Sequence, residues 1–287
     1  MNFNERIKAA FGERGERWLE TLPERIQKIT AVEGISSVQP FTNLSYNYVA
    51  RALRSDESVV LKIGLPGYDF NNEILALQTF PKDAIASLVS ANSIEGYYIM
   101  ESISPGEPLN VKFSDTRTNV RIFVEQWGRL HQTSSLQEKQ TTHELPHINV
   151  WFEVLMNKTD HVPTNWLDTA RAAQQRLNQL NQDTILHGDM HHENILWDET
   201  RGFTIIDPKG VIGHAYYDCV QFLFNKNESV EEFAEKVKLL SDEYNFDQQE
   251  LLDAIKALGM VYLLWAYEDK DPEAKERYNM MKWVMGN

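Results

Sequence analysis

The chain has 287 residues, of which 42% are hydrophobic and 24% charged, the balance of a globular protein with room for one or two domains. Its formal net charge of −14 repels phosphate backbones and so excludes nucleic acid as a default partner, while favouring polycationic molecules. A single cysteine, Cys219, leaves no internal disulfide and no multi-cysteine zinc site.

The amino terminus alternates charged and apolar residues, and no later apolar run reaches membrane length. The expectation is a cytoplasmic chain without a signal peptide or membrane partner. Residues 5–29 place Ile7, Phe11, Trp18 and Leu22 at helical spacing and predict one or two helices. From Gly34 the texture changes to short β-rich segments over 35–38, 46–53 and 59–63, separated by turn-like stretches. A helix over 71–80 follows, then strand candidates at 85–90 and 97–103 joined near Gly96. Pro105-Gly106-Glu107-Pro108 is the strongest break, and it divides an expected lobe of residues 1–103 from a helical lobe of residues 104–287. Beyond it, 115–131 and 165–180 read as amphipathic helices, interrupted by an apolar patch at 184–186 and a turn-and-strand region to Asp207. After Tyr216 the pattern is helical again over 230–240, 248–267 and near Trp283. The class is α+β, a small mostly antiparallel sheet followed by a larger helical domain.

The chemistry concentrates between His187 and Asp218. His187-Gly188-Asp189-Met190-His191-His192-Glu193-Asn194 is dense in ionisable residues between apolar flanks, and Asp207 stands eighteen residues after Asp189. An Asp just beyond a β-rich run such as Ile205-Ile206 sits at a strand end facing a cleft. Phosphoryl transfer needs one carboxylate to orient the attacking hydroxyl, and a second carboxylate with an amide oxygen to hold Mg²⁺. Asp189, Asp207 and Asn194 supply that set, although each alone is an ordinary turn or cap residue. The crowding of His187, His191, His192 and Glu193 raises a zinc-hydrolase reading, since His187 and His191 would share one face of a helix. Gly188 and the lack of a His-Glu-x-x-His order weigh against it.

The strings HGDMHHENILW and IIDPKGVIGHAYYDC resemble the catalytic and metal-binding loops of the aminoglycoside phosphotransferase branch of the protein-kinase-like superfamily. They are most similar to its streptomycin and hydroxyurea phosphotransferase subfamily, over about residues 41–225. The resemblance implies a bilobal protein-kinase-like fold and an ATP- and Mg²⁺-dependent transfer to a small-molecule hydroxyl. It implies Asp189 as the catalytic carboxylate, Asn194 and Asp207 as metal ligands, and His187 and Asp218 as supports of the catalytic loop. Lys62, in Val59-Val60-Leu61-Lys62-Ile63, would hold the α- and β-phosphates of ATP, paired with Glu73 at a helix start. By itself such a lysine is an edge or snorkelling residue. Tyr98 to Gly106 looks like the connection between lobes, where the Glu101 carbonyl and the Ile103 N–H would face adenine. The loop Thr42 to Asn47 contains no glycine, unlike that of protein kinases, so backbone amides and the Ser45 hydroxyl would meet the phosphates. Lys209 either neutralises phosphate charge or is a solvated turn residue.

The acceptor region is less legible. Residues 228–277 hold 14 Asp and Glu against 6 Lys and Arg, with clusters at Glu228, Glu231, Glu232 and Glu235 and at Glu268, Asp269, Asp271 and Glu273. These suit a cationic acceptor, or are solvated helix faces. Tyr262, Trp265 and Trp283 are core residues or a sugar-binding wall. Streptomycin or a related aminocyclitol is the acceptor that the resemblance implies. A choline-, homoserine- or sugar-like alcohol and a catalytically silent nucleotide-binding module are the alternatives, and the oligomeric state is open.

Overall fold

The computed structural model describes residues 2–131, 144–157 and 159–286. The chain divides into two compact units, one of residues 1–78 and 86–103 and the other of residues 79–85 and 104–287.

In the first unit, β1 (Ile35–Pro40), β2 (Tyr48–Arg54), β3 (Glu57–Ile63), β4 (Leu88–Asn92) and β5 (Tyr97–Glu101) form an antiparallel sheet in the order β1-β2-β3-β5-β4. The apolar run of β3, interrupted only by Lys62, suits its place at the centre, where residues 59–63 are all buried. A two-residue loop joins β2 to β3, and Ser55 and Asp56 both hold positive φ, at 49° and 67°. That is the turn whose twist matches a hairpin. Helix α1 (Phe3–Glu33) is kinked at Gly12, where φ is 54° and ψ −138°, so the expected one or two helices are one helix in two segments. It opens on a capping box between Asn2 and Glu5 and closes at left-handed Gly34. Its buried face, Ile7, Trp18, Leu22 and Ile29, packs against Ala52, Leu61, Ile63 and Ile99 of the sheet. The Trp18 indole N–H donates to the Gly64 carbonyl at 3.1 Å. At the other end, Glu33 accepts from the Tyr97 hydroxyl at 2.7 Å and the Ser90 hydroxyl at 2.9 Å. Helix α2 (Tyr68–Thr79) begins three residues before its apolar periodicity does, so Glu73 lies inside the helix and not at its start.

The second unit holds two small sheets among helices. β6 (Pro105–Pro108), β8 (Ile195–Asp198) and β9 (Gly202–Ile205) pair in that order, and β7 (Asp183–Leu186) pairs with β10 (Val211–His214). Residues 105–108, expected only as a break, are therefore an edge strand against β8, and an edge is where a sheet tolerates proline. The helices are α3 (Leu109–Lys112), α4 (Thr116–His131), α5 (Thr164–Gln179), α6 (Tyr217–Phe224), α7 (Val230–Tyr244), α8 (Gln248–Glu268) and α9 (Ala274–Gly286). A 3₁₀ segment, Ile148–Met156, escapes the sequence reading, as does β10. Both are too short to carry a period. α8 is apolar nearly all round and buries twelve residues from Leu251 to Ala266, which makes it the axis on which α5, α6 and α9 pack. Among the described residues no helix is long and apolar enough to cross a membrane.

Trp18 is 4% exposed and holds α1 to the sheet through both ring packing and its N–H. Trp18→Ala should therefore lower unfolding stability by about 3–5 kcal/mol, read by urea denaturation followed by far-UV circular dichroism.

Candidate active site

In the first unit, the lone lysine of β3 is buried. Lys62 Nζ lies 2.5 Å from Glu73 Oε1, which also accepts from the Tyr98 hydroxyl at 2.8 Å. Strand and helix thus bring the two residues together, eleven positions apart in sequence. A buried ammonium and carboxylate hold each other in one geometry, because leaving either alone in the interior is costly. Ser45 is exposed in the loop between β1 and β2. Glu101 ends β5 with its carboxylate turned back to accept the Ser87 N–H at 2.5 Å. Its side chain is therefore fixed by the fold. Ile103 is buried two residues further on.

In the second unit the polar segments 187–194 and 206–209 are zipped together by three hydrogen bonds. The Lys209 N–H donates to the His187 carbonyl at 2.6 Å, the Ile206 N–H donates to the Asn194 carbonyl at 2.9 Å, and His187 Nε2 meets the Ile206 carbonyl at 2.8 Å. His187 Nδ1 accepts the Asp189 N–H, so its proton sits on Nε2 and is donated to Ile206. Desolvation in full burial lowers the pKa of His187 and keeps the ring neutral. His187 is thus a spacer between the two segments, and the stretch from His187 to His191 is not a helix.

Beneath this lies Asp218, 1% exposed in the first turn of α6. Its Oδ2 accepts the His187 N–H at 2.8 Å and its Oδ1 the Gly188 N–H at 2.7 Å, while His131 Nε2 lies 3.0 Å from Oδ2. Gly188 holds φ at 78°, and a Cβ there would stand 3.1 Å from Lys209 Cβ and 3.2 Å from the tip of the Trp151 ring. Only glycine serves at this turn. The turn leaves the Asp189 carboxylate half-buried, with Lys209 Nζ 3.5 Å from Oδ2 and His191 Nε2 3.7 Å from Oδ1. Lys209, undecided in the sequence, therefore stands beside the catalytic candidate.

The chemistry of the donors fits a hard divalent cation. The Asn194 amide nitrogen donates to the Asp189 carbonyl at 2.9 Å, which leaves Oδ1 as the atom for coordination. Asp207 follows the end of β9 in the left-handed region, at φ 66°. One amide oxygen and one carboxylate are the sparse set that Mg²⁺ takes from protein when phosphates supply the rest. No group of three or more His, Cys, Asp or Glu among the described residues is placed to hold a metal, so the histidine crowding builds the loop and no zinc cage.

Residues near Asp189 that motif reading missed come from distant segments. Trp151, from the 3₁₀ segment, meets Trp265 of α8 edge-on at 5.9 Å, and Trp265 meets Tyr262 at 5.9 Å. Burial, then the charges of Asp189 and Asp218, push the Tyr262 phenol pKa well up, which ties this aromatic run to the catalytic loop. Trp283 instead packs edge-on against Phe233 of α7 at 5.7 Å. No signal in the sequence marks Trp151 or His131 for these positions.

The family model for aminoglycoside/hydroxyurea antibiotic resistance kinases matches residues 36–270, a span that includes both zipped segments and Lys62. The chain belongs to this family. Like other members, it is a kinase-type phosphotransferase acting on hydroxyl groups. It is 22% identical to the streptomycin 6-kinase of Streptomyces glaucescens over 282 residues, covering 91% of this chain and 88% of that protein. Over 110 residues it is 31% identical to the streptomycin 3''-kinase of Klebsiella pneumoniae, covering 38% of this chain and 39% of that protein. Its fold is similar to that of a choline/ethanolamine kinase family protein from Mesorhizobium loti. There the TM-score is 0.62 at 16% identity, with 93% of this chain and 95% of that one covered. The α+β, protein-kinase-like class expected from the sequence is the fold of this family member.

Asp218→Asn replaces a carboxylate that serves two main-chain donors by an amide with one acceptor oxygen. A hydrogen bond to a charged group contributes about 1.5–3 kcal/mol, and one or more should be lost. Urea denaturation should show a loss of that size, with a fall in turnover because the 187–189 turn loosens.

Proposed function

We propose that the chain transfers the γ-phosphoryl group of ATP to a hydroxyl of a cationic aminocyclitol of the streptomycin kind. The observation that carries the reading is the juxtaposition of Asp189, Asn194 and Asp207 by the main-chain zipper. On this reading the first unit takes the nucleotide. Lys62, held by Glu73, binds the α- and β-phosphates, the Ser45 hydroxyl and neighbouring amides meet the phosphates, and the main chain at Glu101 and Ile103 meets adenine. ATP as donor sets the reaction in the cytoplasm.

Asp189 orients the acceptor hydroxyl and takes its proton. The hydroxyl oxygen forms the new bond to the γ-phosphorus, and the bond from that phosphorus to the β–γ bridging oxygen breaks, releasing ADP. Asn194 Oδ1 and the Asp207 carboxylate would hold Mg²⁺, which supplies neutralisation of the phosphate charge. Lys209, 3.5 Å from the Asp189 carboxylate, brings a positive charge to the side of the loop where the transferring phosphoryl group would sit. Asp189→Ala should bind ATP with unchanged affinity and lose about 10²–10⁴ in kcat. Wild-type turnover in that variant would overturn the catalytic role.

Two features support the acceptor. Both curated relatives are named for streptomycin, and the half-buried Trp151, Tyr262 and Trp265 lie near Asp189 in a strongly acidic half of the chain. Aromatic faces attract guanidinium and ammonium groups, and the surrounding acidity raises their local concentration. Screening shortens that attraction to about 10 Å at 0.1 M salt. The KM for streptomycin should rise with ionic strength, while that for a neutral alcohol stays constant. A neutral or acidic acceptor with much the highest kcat/KM would remove the substrate assignment and leave the kinase in place.

A further inference from the structure

Lys236 of α7 is a buried cation that the proposed reaction does not use. It is 1% exposed, and its ion pair with the Glu232 carboxylate, one turn back on α7, is long at 3.8 Å. Its ammonium instead donates to two main-chain carbonyls, those of Asn225 and Lys226, each at 3.1 Å, and lies 5.6 Å from the centre of the Phe222 ring. Those carbonyls are at the carboxyl end of α6, where helical acceptors lack intrahelical donors and a cation is favoured.

The same two residues reach the catalytic loop with their side chains. Asn225 Oδ1 lies 3.0 Å from His192 Nδ1, and Lys226 Nζ lies 3.1 Å from Glu193 Oε1. The His192 ring stacks on Phe222 at 4.3 Å, and Phe123 stacks on Phe222 at 4.1 Å. Two near-parallel rings at those distances occupy opposite faces of Phe222. His192 and Glu193 are the residues immediately before Asn194, in the 3₁₀ turn His192–Asn194. Lys226 itself is held at φ 54°, a conformation that a non-glycine residue adopts only when its surroundings impose it.

We infer that Lys236 is a positioning residue: through the main chain of Asn225 and Lys226 it clamps the His192–Asn194 turn and so sets where the Asn194 amide oxygen points. The functional half of this inference rests on Asn194 being a metal ligand; the mechanical half does not. Burial lowers the pKa of Lys236 to about 8, so the fold keeps a charge here against its desolvation, and a neutral side chain of the same length tests why. An ammonium that merely filled space would be replaced by methionine without consequence for a loop it never touches.

The test compares the full-chain enzyme with Lys236→Met and Asn225→Ala. Hydrogen exchange without nucleotide should quicken at least tenfold across 190–194 in both variants, while α8 keeps its protection. The Mg²⁺ concentration for half-maximal activity should rise at least fivefold in both, with the acceptor KM within twofold. The double variant should be no worse than the poorer single one, because the two changes break the same chain of contacts. If Lys236→Met does not fold, Asn225→Ala carries the test, since it keeps the buried cation and its carbonyl bonds. Unchanged exchange at 190–194, or quickened exchange spread evenly through α6, α7 and α8, would overturn the clamp. An Asn194→Ala enzyme with an unchanged Mg²⁺ requirement would overturn the metal reading, and with it the functional half of the inference alone.

Discussion

The second unit is organised around one buried negative charge. Asp218 sits at 1% exposure, and three features hold its carboxyl group there: two consecutive main-chain N–H donors, the neighbouring His131 ring, and its place in the first turn of α6. The dependence runs both ways. The carboxylate requires that the His187 and Gly188 amides point inward together, which the chain achieves by a positive φ at Gly188. Once those amides point inward, the next side chain, Asp189, faces away from the core, half-buried beside Lys209.

Three other buried charged sites are anchored in a comparable way. Lys62 and Glu73 hold each other within the first unit. Asp253 of α8 takes a two-pronged bond from Arg176 at 2.7 and 2.6 Å, which fixes α5 on the axial helix. Lys236 is anchored by two carbonyls at 3.1 Å, closer than its 3.8 Å ion pair with Glu232. Such contacts contribute little net energy after desolvation. What they contribute is a single geometry, which an apolar contact of equal area does not specify.

Chain chemistry and fold also divide the labour by length scale. The short polar motifs are local and carry the proposed reacting groups, while the residues that hold them come from far along the chain. His131 reaches Asp218 across eighty-seven positions, and Trp151 reaches the Gly188 turn from the 3₁₀ segment. The net acidity of the carboxyl-terminal half acts at a longer range still, through field and not contact.

The sequence alone determined the class and the helices of the carboxyl-terminal half, and it singled out the proposed reacting set, because each is a local signal. Apolar residues at period 3.6 mark α4, α5, α7 and α8, and Asp189, Asn194 and Asp207 stand within nineteen consecutive positions. The same signals also explain the misreadings. Two prolines around Gly106 look like a break, yet an edge strand requires only that one face of its ladder be paired. Glu73 looks like a helix start because α2 begins before its apolar face does. Tertiary structure decided the rest: which of Tyr262, Trp265 and Trp283 lies near Asp189, that Lys209 stands beside that carboxylate, and that Lys236 is buried. Those outcomes depend on which helix faces meet in three dimensions, and a residue's burial is a property of the neighbours that folding brings to it.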